Sequence, residues 1–171
     1  MREPRFETER LVLRARGLED LEACVAINGD PRVMTYLGTP WPPERQRIHL
    51  SGQMATDWGP GLGYWSIFRR EAPDDLLGWT GLVAVDDGPD IQIAYRLKSQ
   101  AWGGGIATEA SRRILAHAFE TLALPCVVAL IHPDNRGSQN VIAKLDFRRN
   151  GDFGAPPQHL YRRLKGDTPP C

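Results

Sequence analysis

The chain has 171 residues, of which 42% are hydrophobic, and its 21 basic and 21 acidic side chains balance. This length supports one compact domain with a full core and is short for two. Because the charges balance, no overall field attracts nucleic acid or an anionic membrane. We expect a single domain over residues 1–171, with a core from about residue 7 to residue 164 and a flexible tail over 165–171.

Cellular location is read from the cysteines and the N-terminus. Cys24, Cys126 and Cys171 are far apart and match no metal-ligand spacing, as is typical of unpaired thiols in the cytoplasm. The N-terminal MREPRFETERL is charged, and the longest apolar run, LALPCVVALI, is too short to span a membrane. We therefore expect a cytoplasmic protein without a signal peptide or transmembrane helix.

The first third predicts one strand and two helices. RLVLRA alternates apolar and charged residues, as a half-buried strand does. GLEDLEACVAING has apolar residues at helical spacing and ends at an Asn-Gly-Asp-Pro cluster. TPWPPERQRIHLSGQMATDWG has prolines and Glu44 at its start, which predicts a second helix.

From Gly63 the pattern changes to strands. YWSIFRR, LLGWTGLVAV and IQIAYRL, separated by turn-rich segments, predict an antiparallel meander. A helix with an apolar stripe starts at Ile106, and the order then predicts strand CVVALI, helix NRGSQNVIAKL and strand HLYRRL. The sum is an α+β fold with helices packed on a mostly antiparallel sheet.

The segment QAWGGGIATEA places three glycines directly before that helix. One interpretation is a flexible turn. The other is an anion site, because a helix N-terminus offers free N–H groups and glycines let phosphate oxygens approach them. A dinucleotide fingerprint requires glycine at position 108, which is Thr108, and a P-loop requires a lysine that this segment lacks.

The pattern Gln100-x-x-Gly103-x-Gly105 resembles the acetyl-coenzyme A loop of the GCN5-related N-acetyltransferases, the GNAT superfamily. AYRLKSQAWGGGIATEA and HPDNRGSQNVIAKLDF are similar, in that order, to two segments of its ribosomal-protein-alanine acetyltransferase (RimJ/RimL-type) branch. The resemblance implies a GNAT fold, in which a twisted, mostly antiparallel sheet of about six to seven strands is splayed in the middle and flanked by about four helices.

The resemblance also implies an activity and a site. The chain is expected to transfer acetyl from acetyl-coenzyme A to a primary amine, on a protein N-terminus or a small molecule, directly in a ternary complex and without a metal. Leu97 N–H is the expected oxyanion donor, and Ser138 is expected beside the sulfur to assist thiolate departure. The implied cofactor-binding residues are Tyr95, Arg96, Leu97, Gln100, Gly103, Gly104, Gly105, Ile106, Ala107, Thr108, Asn135 and Ser138.

Several assignments have alternatives. Asn135 is also a good helix cap. Two positions that are frequently acidic in the branch are Gln92 and Val128 here, and neither accepts a proton. His132 is a candidate base, or an ordinary loop histidine. The missing carboxylates keep open a catalytically silent acyl-coenzyme A-binding module.

The acceptor side is expected from the first third of the chain. Trp41, Trp58, Tyr64 and Trp65 predict an aromatic wall, although some of them are also candidates for the core. No nucleic acid or membrane partner is expected, and the assembly is a monomer or a homodimer.

Overall fold

The computed structural model describes residues 4–167, so Cys171 and the end of the expected tail, 168–171, lie outside the described residues. Within 4–167 the chain forms eight strands and five α-helices, joined by loops and by three short 3-10 or π-helical segments, Leu18–Asp20, Ser99–Ala101 and His117–Thr121. The strands and α-helices are β1 (Phe6–Glu7), β2 (Leu11–Ala15), α1 (Leu21–Gly29), α2 (Pro31–Met34), α3 (Pro43–Ala55), β3 (Gly63–Arg69), β4 (Ala72–Ala84), β5 (Ile91–Leu97), α4 (Ile106–Ala116), β6 (Cys126–Ile131), α5 (Arg136–Lys144), β7 (Arg148–Phe153) and β8 (Gln158–Leu164).

All eight strands form one sheet in the order β1-β2-β3-β4-β5-β6-β8-β7. Every neighbouring pair is antiparallel except β5 and β6, which are parallel. The fold class is confirmed, and the additional elements are β1, β7 and α2. Periodicity does not reveal them, because β1 has two residues, α2 has four, and β7 is exposed along its whole length.

Two apolar clusters cover the two faces of the sheet. On one face, Ile106, Ala110, Ile114 and Ala118 of the helical segment that starts with α4 are all 1% exposed or less. On the other face, α1 and α3 pack over β3 and β4 through a smaller cluster that includes Cys24, Leu50, Phe68 and Trp79. No helix among the described residues is long and apolar enough to cross a membrane.

The second cluster changes the interpretation of β2. Alternation in RLVLRA predicts that its charged face meets solvent, but α1 and α3 cover this face of the sheet. Arg16, just after β2, is therefore only 7% exposed. The local pattern could not show this, because the helices that cover β2 are later in the chain.

Candidate active site

The sheet opens between β5 and β6. These strands share a single register pair, Gln92 with Val128, and residues 93–97 and 129–131 continue beyond it without pairing to each other. The expected splay in the middle of the sheet is therefore present. An opening of this kind exposes strand edges to which an extended ligand can hydrogen-bond.

Leu97 directs its backbone groups into this opening. The Lys98 N–H donates to the Leu77 carbonyl on β4 at 2.8 Å. Because successive strand residues point their backbone groups to opposite sides, those of Leu97 point away from β4. The Leu97 carbonyl accepts from the Trp102 indole at 3.1 Å, and the Leu97 N–H faces the opening.

The same alternation separates the other two predicted strand positions. The backbone groups of Tyr95 face the opening with those of Leu97, whereas those of Arg96 face Trp79 of β4. Arg96 therefore meets the site through its side chain, which lies on the face covered by α1, rather than through its main chain.

The glycine loop leads straight into α4. Gly103 and Gly105 have φ angles of +78° and +75°, in the left-handed region that favours glycine. A Cβ atom added at Gly103 or Gly104 would meet no heavy atom within 4 Å, so the loop surface is open. Gln100 is exposed in the preceding turn, 99–101.

The first turn of α4 offers free backbone donors. Its first helical hydrogen bond joins Glu109 N–H to the Gly105 carbonyl at 3.0 Å, so the N–H groups of Ile106, Ala107 and Thr108 lie ahead of it. No side chain caps this end of the helix. The helix dipole adds a partial positive charge, which makes the turn suited to an anion.

A side-chain clasp holds the loop in place. Arg10 donates to the Gly104 carbonyl at 2.8 Å and to Glu109 at 2.6 Å, and Thr8 donates to Glu109 at 2.5 Å. Burial raises the pKa of Glu109, but the hydrogen bonds from Thr8 and Arg10 outweigh it, and the net pKa is lowered. An acidic residue in the first turn of a helix is already explained by the helix dipole. The contact of Glu109 with Arg10, 99 positions away, was therefore not predicted.

Basic groups lie next to this loop. A cavity of about 360 Å³ beside Gly105 and Thr108 is lined by three cations and two carboxylates, Arg10, Arg112, Lys144, Glu9 and Glu109, of which Arg10 and Glu109 pair with each other. Arg112 also donates to the Lys144 carbonyl at 3.3 Å, which joins α4 to the end of α5. These cations can balance the charge of a bound phosphate group.

The start of α5 forms the opposite wall of the opening. Asn135 Oδ1 accepts from the Ser138 N–H at 3.1 Å, so the capping alternative is present in the structure. The Tyr95 hydroxyl donates to the Ser138 carbonyl at 3.2 Å, which ties β5 to α5. Burial, opposed by the bond to Ser138, raises the pKa of Tyr95 to about 12, so this phenol stays neutral.

His132 lies between β6 and α5, close to this wall. Its Nδ1 accepts from the Asp134 N–H at 3.1 Å, and its ring packs on Tyr36 with centroids 5.2 Å apart. In this arrangement the neutral imidazole carries its proton on Nε2, and its one lone pair is already engaged. The geometry therefore does not favour His132 as a proton acceptor.

The predicted aromatic wall divides into two groups. Trp65 is fully buried in the core of the other face, and its indole donates to the Pro4 carbonyl at 2.8 Å. Trp58 and Tyr64 pack edge-to-face near α3 with centroids 5.5 Å apart, and Trp41 is 40% exposed. Of the two alternatives for Trp65, wall or core, the structure shows the core, because alternation along β3 turns its side chain to the opposite face.

Two arginines lie beside aromatic rings on this face: Arg16, which was not predicted as a site residue, and Arg96, which was predicted to contact the cofactor but not an aromatic ring. The guanidinium of Arg16 lies 4.3 Å from the Tyr64 ring centroid and 5.2 Å from that of Trp79. The guanidinium of Arg96 lies 5.4 Å from the Trp79 centroid. Among residues 4–167, no group of three or more His, Cys, Asp or Glu side chains could hold a metal ion.

Comparison with known proteins gives the same family from sequence and from fold. The family model of the acetyltransferase (GNAT) domain matches residues 10–148. A Bacillus licheniformis protein named uncharacterized N-acetyltransferase p20 is 30% identical over 148 residues, which are 84% of this chain and 82% of that protein.

Solved structures share the fold over nearly the whole chain. An acetyltransferase from Agrobacterium tumefaciens strain C58 superposes with a TM-score of 0.84 at 27% identity, over 95% of each chain. RimJ from Mycobacterium smegmatis, solved in complex with CoA-disulfide, has a TM-score of 0.76 at 20% identity, over 94% of this chain and 84% of RimJ. With the family model spanning most of the sequence, the chain belongs to the GNAT acetyltransferases.

Proposed function

We propose that this acetyltransferase uses acetyl-coenzyme A and transfers its acetyl group to the nitrogen of a primary amine, directly within a ternary complex. The observation that carries the proposal is the opening between β5 and β6, where the free Leu97 N–H lies on a strand that leads into the glycine loop. A thioester on a long amide-bearing arm that ends in a diphosphate matches this arrangement of backbone donors.

The donor lies along the opening. The pantetheine arm pairs with the free edge of β5 at Tyr95 and Leu97, as an added strand does. Its diphosphate receives hydrogen bonds from the N–H groups of Gly103–Thr108, and Gln100 and Asn135 flank the arm. Arg112 and Lys144 supply positive charge nearby.

The chemistry is one attack and one departure. The amine nitrogen attacks the thioester carbon, and the Leu97 N–H stabilises the charge that develops on the carbonyl oxygen. The attacking nitrogen loses its extra proton to water, the C–S bond breaks, and coenzyme A leaves as the thiolate. Ser138 lies at this end of the opening, and its hydroxyl makes no hydrogen bond to any other described residue, so it is free to donate to the departing thiolate.

The amine must be neutral before it attacks. Gln92 and Val128 offer no carboxylate, and the Nδ1 of His132 is engaged by the Asp134 amide. We infer that the ammonium loses its proton to water. Turnover at low amine concentration then rises with pH until the free amine itself is mostly neutral.

A silent acyl-coenzyme A-binding module is the second candidate, and the uncharged Gln92–Val128 pair favours it. The two candidates separate in one assay, in which coenzyme A release is followed as free thiol and the product is identified by mass spectrometry over a panel of amines and N-terminal peptides. Acetylation of at least one amine above the uncatalysed rate supports the enzyme. Tight coenzyme A binding without any acetylated product would contradict it.

A further inference from the structure

Two arginine side chains lie on the acceptor face of the sheet without an anionic hydrogen-bond partner among residues 4–167. Arg16 is 7% exposed, and its Nη2 donates to the Gln53 side chain at 2.9 Å. Arg96 is half-buried, and its Nη1 donates to the Asn28 side chain at 2.5 Å. Both partners are neutral amides, so neither cation is balanced by the bond that it makes.

The remaining guanidinium donors are unpaired. Nε and Nη1 of Arg16 and Nε of Arg96 are sealed from solvent and have no hydrogen-bond partner in the described chain. Nη2 of Arg96 also makes no hydrogen bond to residues 4–167, but it is not among the sealed atoms. Buried donors without acceptors are costly, and a buried unpaired charge is more so.

The ring faces of Tyr64 and Trp79 compensate only part of this cost. Burial lowers the pKa of Arg16 and of Arg96, although both guanidinium groups remain charged. The acceptor face thus holds positive charge that its own residues leave unsatisfied.

Charge balance indicates how much negative charge is missing. Arg14 pairs with Glu19 at 3.0 Å and with Asp20 at 2.7 Å, and Asp20 also accepts from Ser66. With Arg16 and Arg96 added, three cations face two carboxylates, which leaves one positive charge.

Other acidic groups of this cluster stay neutral. Burial, opposed by Arg16, raises the pKa of Cys24 to about 12, and burial likewise raises the pKa of the Tyr64 phenol. Among residues 4–167, one positive charge of this cluster is therefore left without a carboxylate to balance it.

The position of Arg96 connects this charge to the reaction. Arg96 precedes Leu97 on β5, and consecutive strand side chains point to opposite faces. The Arg96 guanidinium therefore lies on the acceptor face, one residue from the backbone N–H that faces the thioester. Its unpaired Nε and Nη2 lie on one planar edge of the guanidinium; Nε is sealed, so Nη2 is the donor that a carboxylate oxygen reaches without movement of the neighbouring side chains.

We propose that the amine acceptor carries a carboxylate, which Arg96 binds with Arg16 behind it, so that the substrates are amino acids or other small amino carboxylates. This inference rests on the proposed acetyl transfer and names the acceptor class of the same site.

The first test compares amines that differ in one group. Each amino acid is assayed beside its amide, and O-phosphoethanolamine is assayed beside ethanolamine. We expect a kcat/KM about 10-fold or more higher for an amino acid than for its amide. Arg96→Gln should bring that ratio close to one by lowering only the amino acid rate, and Arg149→Gln, in the exposed β7, should leave the ratio unchanged.

Three results would overturn the inference. The first is an amide that reacts as well as its acid, and the second is a preference for the phosphorylated amine. The third is an Arg96→Gln protein that loses both rates equally, which assigns Arg96 to packing alone. If Arg96→Gln does not fold, Arg96→Lys, which keeps the charge but loses the planar edge, should still lower the ratio several-fold.

A binding test separates this inference from the proposed reaction. With coenzyme A present, N-acetyl amino acids should raise the Tm of the wild-type protein more than their amides do, and Arg96→Gln should remove the difference. If no amine is acetylated but N-acetyl amino acids still raise the Tm more than their amides do, the proposed acetyl transfer is wrong and the carboxylate site is supported. If carboxylates and amides shift the Tm equally, the carboxylate site is wrong whether or not transfer occurs.

Discussion

The donor side and the acceptor side of the opening are built from different parts of the chain. On the proposed donor side, the groups available to a ligand are mostly backbone N–H groups in one continuous segment, residues 95–108. On the proposed acceptor side they are side chains from separate elements, where Arg96 is stacked on Trp79 and lies beside the buried Arg16. Substitutions should therefore act differently on the two sides: a change of backbone conformation disturbs the donor, and a change of side chain disturbs the acceptor.

The largest effect is expected for Gly105→Val. Gly105 has a φ of +75°, and a Cβ there would lie 3.4 Å from the Arg10 guanidinium. Valine disfavours this conformation and should turn the helix N-terminal donors away from the diphosphate. Losing two charge-assisted hydrogen bonds lowers affinity by about 100-fold or more, which calorimetric titration with coenzyme A measures.

Gly151→Val is the matched control for strain. Gly151 also has a positive φ, +102°, but lies in the exposed β7. Both variants should lose about 1–2 kcal/mol of unfolding free energy. Only Gly105→Val should lose affinity for coenzyme A. If the two variants bind coenzyme A equally well, the glycine loop does not bind the donor.

Ser138→Ala tests the donor side where a side chain does act. Turnover should fall by about 10- to 100-fold, because the thiolate loses a proton donor, while the KM for acetyl-coenzyme A stays within about twofold. Steady-state kinetics measures both constants, with Ser51→Ala on α3 as the control. An unchanged kcat would leave Ser138 a structural residue of the α5 cap.

His132→Ala should have a small effect. Because Nδ1 of His132 is engaged and Nε2 carries the proton, its removal should change kcat by less than about threefold. The pH dependence of kcat/KM should follow the pKa of the amine in both proteins. A fall of kcat by more than about 10-fold in the variant would instead identify His132 as the base.

Asp30→Asn should have the smallest effect, visible only in acid. Hydrogen bonds from Arg32, and then from Ser99, lower the pKa of Asp30 to about 2. Because the folded pKa lies below the unfolded one, Asp30 contributes stability above about pH 4, and this contribution is lost as the pH falls toward 2.

The measurement is urea unfolding of both proteins from pH 6 to pH 2. The wild type should be more stable at pH 6, and the difference should shrink toward pH 2. Asp74→Asn, at an exposed position of β4, is the control. A difference in unfolding free energy that stays constant from pH 6 to pH 2 would show that the ionisation of Asp30 does not contribute to stability.

The parts that could be predicted from the sequence depend on neighbours along the chain. The glycine loop is one example, since the positive φ angles of Gly103 and Gly105 lie two positions apart. The helix cap is another, since Asn135 accepts from the Ser138 N–H three positions later. The meander could also be predicted, because alternation repeats in three consecutive segments. The hairpin strand β7 could not, since its polar, exposed residues carry no such signal.

The parts that could not be predicted depend on distant segments. Arg10 meets Glu109, and Arg16 meets Trp79, only once the strand order and the covering helices are known. Local alternation in RLVLRA assigns its charged face to solvent, and nothing within that segment signals that α1 and α3 will bury Arg16. The acceptor side is built mostly from such contacts.

In the proposed site, backbone groups bind the donor and side chains bind the acceptor. This division is tested most directly by titrating coenzyme A into the wild type, Gly105→Val and Arg96→Gln. We expect Arg96→Gln to bind coenzyme A with the affinity of the wild type, because the Arg96 backbone faces β4 and its side chain lies on the face covered by α1. Gly105→Val should lose that affinity. Weak binding by Arg96→Gln together with normal binding by Gly105→Val would contradict the assignment of both sides.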